Sequence, residues 1–504
     1  MLLGAYAQLE SSACIERMSI WGEMRSDNIV AGNNASTDIL NITKENIMQT
    51  NSYMSWACFY DVINRANTVL EFAPLVAEKD PNYRVSELYA NIAEAKAIRA
   101  LSYFYLIRAY KDVPYVTIPS TDDTNEFVVP AEKFENILDS LIIDLEEVRI
   151  YAVNKYTNKK ANTARFTRNG IDALLADLYL WDGDWDNCIA AVDRIVANRV
   201  EEYEEILEKE PNTTLVLFNN EYPLISNLSP GSGNLGNAYN EIFGQGNSFE
   251  TLFELAFEGG SGSVENTFIR NYYADRRQSS TSIGSLKVEA RVASNIGTAS
   301  NVVYKSAYDG RVYESMDKDG ADKGITKYVY SDVSYSIDNA GTLKSGAVNR
   351  TARGDNSASS WIIYRLTDAM LMKAEALVQK AAAIDATESE LTDSLNNVKT
   401  AYMQEAFDIV KIINNRAKGY DVKEVAEDAL KFSAYSSSTG LMSDLVLEER
   451  RRELMYEGKR WFDLVRMTLR LGNTEKLSSL VLGKHTSNTS AISIQLKDMD
   501  AIFF

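Results

Sequence analysis

Histidine occurs once in the 504 residues, at His485, and cysteine three times, at Cys14, Cys58 and Cys188. A single histidine gives no basis for a His-based metal site or a Ser–His–Asp triad. Three scattered cysteines make neither a disulfide framework nor a zinc cluster. Positive charge is also short: 52 Lys and Arg face 71 Asp and Glu, for a net charge of −19. The bases are dispersed or matched with acids. Nucleic acid, which is held by clustered cations on phosphates, is therefore not an expected partner. No run of about 18 apolar residues exists, so no membrane-spanning helix is expected. Only MLLGAYAQLESSA precedes Cys14. That is too little for the apolar stretch of a secretory signal, and Cys14 is not read as a lipidated cysteine.

What is present is a core. Hydrophobic residues make up 45% of the chain, and the length suffices for several domains or one large repeat scaffold with insertions. Residues 53–113 read as a helical pair. The first helix carries Trp56, Tyr60, Ile63, Ala66 and Leu70; the second, from about Tyr83 to Tyr110, carries Ala93, Ala97, Ala100, Phe104 and Ile107. Pro74 and Pro81 punctuate the link, and Pro114 follows the end. In Ile171–Val196, the residues Ala176, Tyr179, Gly183, Trp185, Cys188, Val192 and Ile195 follow the small-and-large pattern of a tetratricopeptide repeat. Cys188 falls on the small position of the second helix and reads as core. Ala374 and Leu377, then Ala406, Val410 and Ile413, repeat the same skeleton. The fold class expected is mainly α: a tetratricopeptide-like scaffold of about four helix hairpins, enough to share one continuous core. The hairpins fall at about 53–113, 130–200, 361–418 and 443–470 of a single domain spanning 1–504.

The last hairpin contains LVLEERRRELMYEGKRWFDLVRM, from Leu445 to Met467. Leu447, Leu454 and Trp461 recur every seven residues, with Val465 four further on, which buries one helical face. Gly458 costs about 1 kcal/mol inside a helix relative to alanine, so it marks a tight turn between two helices. Glu448, Glu449 and Glu453 lie N-terminal to arginines at pairing distance.

From about 215 to 360 the texture changes to Gly, Ser, Asn and Tyr, with turn signals at Asp309-Gly310, Asp319-Gly320 and Asn339-Ala340-Gly341 between short β-leaning runs. Irregular stretches this long are usually functional. Tyrosine offers a flat apolar face and a polar tip, which suits sugar rings, while Asn, Asp and Arg pair with hydroxyls. The candidate ligand contacts are Tyr239, Tyr272, Tyr304, Tyr308, Arg311 and Tyr313 in this insertion. Asn33, Asn34 and Asp38 join them from a second polar loop, Asn28 to Glu45. The run Asp317–Asp322 lacks a closing glutamate, Tyr328 standing at its twelfth position, and reads as an Asp-Gly turn rather than a calcium loop. No carboxylate pair stands out as the acid and base of a glycosidase.

The block with Glu-Gly-Lys-Arg-Trp-Phe-Asp-Leu at its centre resembles the C-terminal signature of the SusD/RagB family, the glycan-binding outer-membrane lipoproteins of Bacteroidetes. DVINRANTVLEF, AEAKAIRALSYFYLIRAYKDVPYV and RLTDAMLMKAEAL are similar to other segments of that family. The resemblance implies a non-catalytic, cofactor-free protein that binds oligo- or polysaccharide at the cell surface and docks on a SusC-like TonB-dependent transporter. It implies that Glu453, Arg460, Trp461, Asp463 and Arg466 are structural, and that Tyr273, Asp275 and Arg276 form a structural turn. A lipid anchor would lie upstream of Met1, this chain being a trimmed soluble form. The tail SNTSAISIQLKDMDAIFF departs from the family's Pro-rich ending. Two other readings stay open: a tetratricopeptide adaptor for peptides or proteins, and a helical glycoside hydrolase.

Overall fold

The computed structural model describes all residues but 122–127, 260–264, 275–283, 295–302, 318–322, 339–342, 345–347, 356–357, 388–391, 421–428 and 486–488. Asp275, Arg276, Asn301, the Asp319-Gly320 turn, Asp322 and the Asn339–Gly341 turn lie outside the described residues.

Four helix hairpins form the scaffold: Ala57–Lys79 with Val85–Tyr110, Arg168–Asp182 with Trp185–Lys209, Leu366–Thr387 with Asp393–Ala417, and Thr439–Leu454 with Arg460–Leu471. Local sequence sets their ends. The Thr167 hydroxyl accepts from the Gly170 amide and the Asp184 carboxylate from the Asn187 amide, each occupying an N–H that the helix leaves unpaired. Gly183, at φ +86°, ends the first helix of the second hairpin in the left-handed conformation that glycine adopts without strain. Cys188 is fully buried, its Sγ 4.0 Å from the Met372 carbonyl oxygen. Pro74 departs from expectation. It lies inside Ala57–Lys79 and does not end it, the turn coming only at Asp80. A helix can carry proline through when tertiary packing holds the flanking turns, here with Ala73 buried beside it.

The region after the second hairpin is built from short antiparallel ribbons. Leu215–Phe218 pairs with Tyr222–Ile225, Tyr330–Ser334 with Asn349–Ala352, and Thr251–Leu255 with Trp361–Arg365. The last ribbon brings residues more than a hundred positions apart side by side and leads directly into Leu366–Thr387, whose first amide donates to the Glu250 carbonyl at 2.8 Å. The Asn28–Glu45 segment is also more ordered than a loop. Ile29–Ala31 forms a strand against Leu286–Val288, and Thr37–Thr43 forms a helix capped by Ser36.

The Leu445–Met467 block lies at the centre of a buried ion network. Glu453 accepts from Arg416 at 2.6 Å, Arg365 at 2.7 Å and Arg311 at 3.0 Å. Glu457 accepts from Lys327 at 2.6 Å and Arg365 at 2.9 Å. Asp27 bridges Arg460 at 2.9 Å and Arg451 at 3.0 Å, and Glu375 accepts from Arg466 at 2.7 Å. Burial alone raises these carboxyls; the guanidinium groups around them override it and hold Asp27, Glu375 and Glu453 well below the usual carboxylate range.

Gly458 adopts φ +72° between the two helices of the last hairpin. Helix Ser12–Glu23 crosses this turn so closely that a Cβ on Gly22 would lie 1.8 Å from the Gly458 carbonyl oxygen. Arg25, fully buried over the Trp461 ring, donates to the carbonyls of Ala501, Ile502 and Phe503 at 2.6 to 3.0 Å. This clasp fixes a tail that the sequence left without a packing account.

Candidate ligand-binding surface

Five of the nine candidate contacts are interior residues. Tyr239, Tyr272, Tyr304, Arg311 and Tyr313 expose 6% or less of their surface. The single proton of the Tyr239 hydroxyl has the Thr326 and Tyr330 carbonyls within reach at 3.2 and 3.3 Å, and the Tyr304 hydroxyl reaches Met455 Sδ at 3.7 Å. Tyr313 packs against the Tyr335 ring at 5.3 Å. Arg311 is committed to Asp309, Glu449 and Glu453. These side chains do the work of a core: their rings fill space and their polar tips find partners inside. Tyr272 stacks on Phe268 at 4.7 Å and meets the Tyr53 hydroxyl at 2.7 Å. As ligand contacts, these five are corrected by their burial. Tyr308 is half-buried beside the Tyr420 ring at 6.2 Å.

The other three gather on one surface. Asn33 and Asn34 are exposed just beyond the Ile29–Ala31 strand. Asp38 stands in the short helix that follows, accepting from the Ser52 amide at 3.0 Å and the Ser52 hydroxyl at 2.6 Å. The Ser52 hydroxyl, and then its amide, lower the Asp38 carboxyl below its ordinary value. The Asn51 amide donates to the Asp38 carbonyl at 3.0 Å. The loop is thus tied back on itself between 38 and 52.

Two residues that the sequence reading did not assign to ligand complete this surface. Trp56 sits at the start of Ala57–Lys79 with 36% of its surface exposed. Its ring meets Tyr60 edge-on at 5.9 Å and Tyr110 at 5.0 Å, and Tyr110 in turn meets the fully buried Trp21 at 5.3 Å. Tyr53 is half-buried beside it, its carbonyl taking the Trp21 indole N–H at 3.0 Å. An exposed indole propped by a column of rings down to the core is a rigid, partly apolar face, and the Asp38–Ser52 bonds tie the polar loop to the chain four positions before it. The available sign was the polar run Thr50-Asn51-Ser52 before Tyr53 and Trp56; helical periodicity alone assigned Trp56 to the inner face.

The ribbon that carries Asn33 and Asn34 is drawn against the insertion by close backbone approach. The Gly32 amide donates to the Ser285 carbonyl at 2.8 Å, and a Cβ on Gly32 would lie 2.9 Å from the Gly284 carbonyl oxygen. Gly284 itself, at φ +65°, lies against the Tyr272 and Tyr273 carbonyls, where a side chain would collide at 2.2 Å. The N-terminal polar loop and the insertion, some 250 positions apart, therefore share one edge. Among the described residues no His, Cys, Asp or Glu group has the arrangement of a metal site.

Residues 249–501 match the model of the SusD family, and residues 1–180 match a second model described as starch-binding associating with outer membrane. The chain belongs to the SusD family. It is 24% identical to SusD-like protein P38 of Formosa agariphila over 473 residues, covering 92% of this chain and 82% of that one. SusD-like protein P2 of the same organism is 24% identical over 431 residues, or 83% of this chain and 72% of that one. Among solved structures, a SusD superfamily protein from Bacteroides vulgatus superposes with a TM-score of 0.65 at 16% identity, covering 100% of this chain and 93% of that one. One from Bacteroides thetaiotaomicron gives 0.62 at 20% identity, covering 97% and 94%. The helical-repeat scaffold is thus the family's.

Proposed function

We propose that this SusD-family protein binds oligo- or polysaccharide at the cell surface without catalysis and passes it to a SusC-like TonB-dependent transporter in the outer membrane. The membrane would be reached through a lipid anchor; no helix of the described residues is long and apolar enough to cross it. The observation that carries the reading is the Trp56 platform: an exposed indole braced by Tyr60 and Tyr110, with Asn33, Asn34 and Asp38 on the adjoining loop. Sugar rings pack their C–H faces on such aromatic surfaces and turn their hydroxyls to amides and carboxylates. Stacking and hydrogen bonding of this kind hold a glycan without breaking it, which suits delivery rather than hydrolysis.

Affinity electrophoresis and calorimetry against a panel of plant, host and microbial polysaccharides test the reading. At least one glycan should bind and be recovered intact after overnight incubation. Trp56→Ala should weaken that binding at least tenfold while leaving the unfolding temperature within a few degrees, because the ring is partly exposed. Binding to none of the panel, or release of shorter products, would overturn it. Co-purification of a TonB-dependent transporter with the anchored protein from its own outer membrane tests the delivery step.

A further inference from the structure

A second polar recess, sharing no residue with the Trp56 surface, lies between the 154–169 segment, the C-terminal half of Trp185–Lys209 and the 241–249 turn. It encloses about 570 Å³, within the range of about 300–1,000 Å³ usual for small-molecule sites. Its floor is polar yet buried: Thr163, Thr167, Asn169, Arg199 and Ser248 line it with 4–8% exposure each. Such residues are mostly found at the surface, and when buried their polar atoms are normally all paired. Here the Arg199 Nε has no partner, although the same guanidinium donates to the Thr251 carbonyl at 3.0 Å and pairs with Glu202. The residue that forms this floor thus carries a buried polar atom that the fold leaves unpaired.

The walls fit the floor. Tyr156 and Phe249 are half-buried and bring aromatic area, with the Arg199 guanidinium 5.2 Å from the Phe249 ring centre. Asn154, Asn212 and Gln245 line the rim with exposed amides. Charge balances: Lys155, Lys159 and Arg199 are matched by Glu202, Glu210 and Glu241. A strongly anionic or cationic guest gains nothing overall from such a lining, whereas a neutral polyol can use every amide and hydroxyl. The backbone here is also irregular. Asn240–Gln245 winds as a π-helix, an uncommon form often found at functional sites, and Gly246 and Asn247 follow at φ +71° and +50°. Asn247 is held there by its amide donating to Glu254 at 3.0 Å and its side-chain oxygen accepting from Thr163 at 3.0 Å.

We infer that this recess is a second carbohydrate site, taking a short neutral oligosaccharide whose hydroxyls meet the Asn154, Asn212 and Gln245 amides and whose ring face lies against Phe249. The inference rests on the glycan-binding reading but concerns a different surface. Two sites on one rigid scaffold would let a single chain hold two stretches of a polysaccharide, raising avidity beyond either site alone.

Calorimetric titration with maltohexaose, xylohexaose, mannohexaose and laminarihexaose, together with crystals soaked in the same sugars, tests it. Wild-type protein should titrate with two sites for at least one sugar. The double variant Asn212→Ala/Gln245→Ala, altering only exposed amides, should weaken one site about tenfold, and Trp56→Ala should weaken the other. Sugar density in the recess, against the Phe249 face that Arg199 leaves open and within reach of the Asn212 and Gln245 amides, would agree. One site lost in Trp56→Ala and unchanged in Asn212→Ala/Gln245→Ala, with an empty recess, would overturn the second site and leave the general function standing. Binding of none of the sugars by wild-type protein would overturn both.

Discussion

Asp27 shows how much one side chain can hold in this protein. It is 1% exposed and shared by two guanidinium groups, with Glu448 the remaining acid beside both. Removing one partner from a buried pair strands charge and typically costs about 3–5 kcal/mol. Asp27→Ala should lose stability on that scale in urea unfolding. Protonation acts on the same groups. Asp27, Glu375 and Glu453 are held well below the ordinary value by their arginines. Their stabilisation is complete above the unfolded carboxylate range near pH 4 and is lost as pH falls below it. Glu23 and Glu254 shift the opposite way, to about 7, because both are buried and each has one oxygen without a partner. For these two the native state binds more protons than the unfolded chain between about pH 4 and 7, so stability falls as pH rises across that window. The unfolding temperature should therefore peak between about pH 4 and 5, decline to about pH 7 and level off above it. Glu254→Gln, which cannot ionise, should flatten the decline in a calorimetric pH series; an unchanged slope would remove Glu254 from the account.

At the scale of elements, the crossing of Ser12–Glu23 over the Gly458 turn is the tightest approach in the signature region. Gly22 needs its missing side chain for space and not for backbone freedom, since it lies inside a helix. Gly472 is the reverse case, left-handed at φ +65° with nothing within 4 Å of a built Cβ. Gly472→Ala should cost about 1–2 kcal/mol from conformation alone. Gly22→Ala should cost more, because backbone must move, and paired denaturation curves would rank the two. This contrast also marks what could be read in advance. The turn at Gly458 and the helix pair around Gly183 were legible, because periodicity and glycine placement are local signals. The partner of Gly22 was not, because it lies more than four hundred residues away. Tyrosines in the insertion failed for a related reason: Tyr304 in a dry interior and Tyr308 at a half-buried edge look alike in sequence. Only the ribbons that fold the insertion inward tell them apart. Asn33 and Asn34 are exposed because a strand ends just before them, and Trp56 was missed because the helix read from about residue 53 begins only at Ala57, leaving Trp56 at its cap.

Across the whole molecule, the chain's beginning and end are knit into one body. Arg25 grips three carbonyls of residues 501–503, and the Phe504 amide donates to the Ala109 carbonyl at 2.7 Å. Deleting residues 501–504 should leave Arg25 with only Glu45 and the Trp461 ring for its buried charge and open the first hairpin to limited proteolysis. Protection equal to the full chain would show that the clasp contributes nothing. The Asp27 bonds to Arg451 and Arg460 span 424 and 433 positions. Closing loops of that length comes late and slowly in folding, since the entropy of bringing distant segments together is lost before the bonds that repay it exist. The signature therefore acts as a clock as well as a brace: refolding from denaturant should take seconds rather than milliseconds, and a chain stopped short of residue 450 should stay open and easily cut until its final arginines arrive.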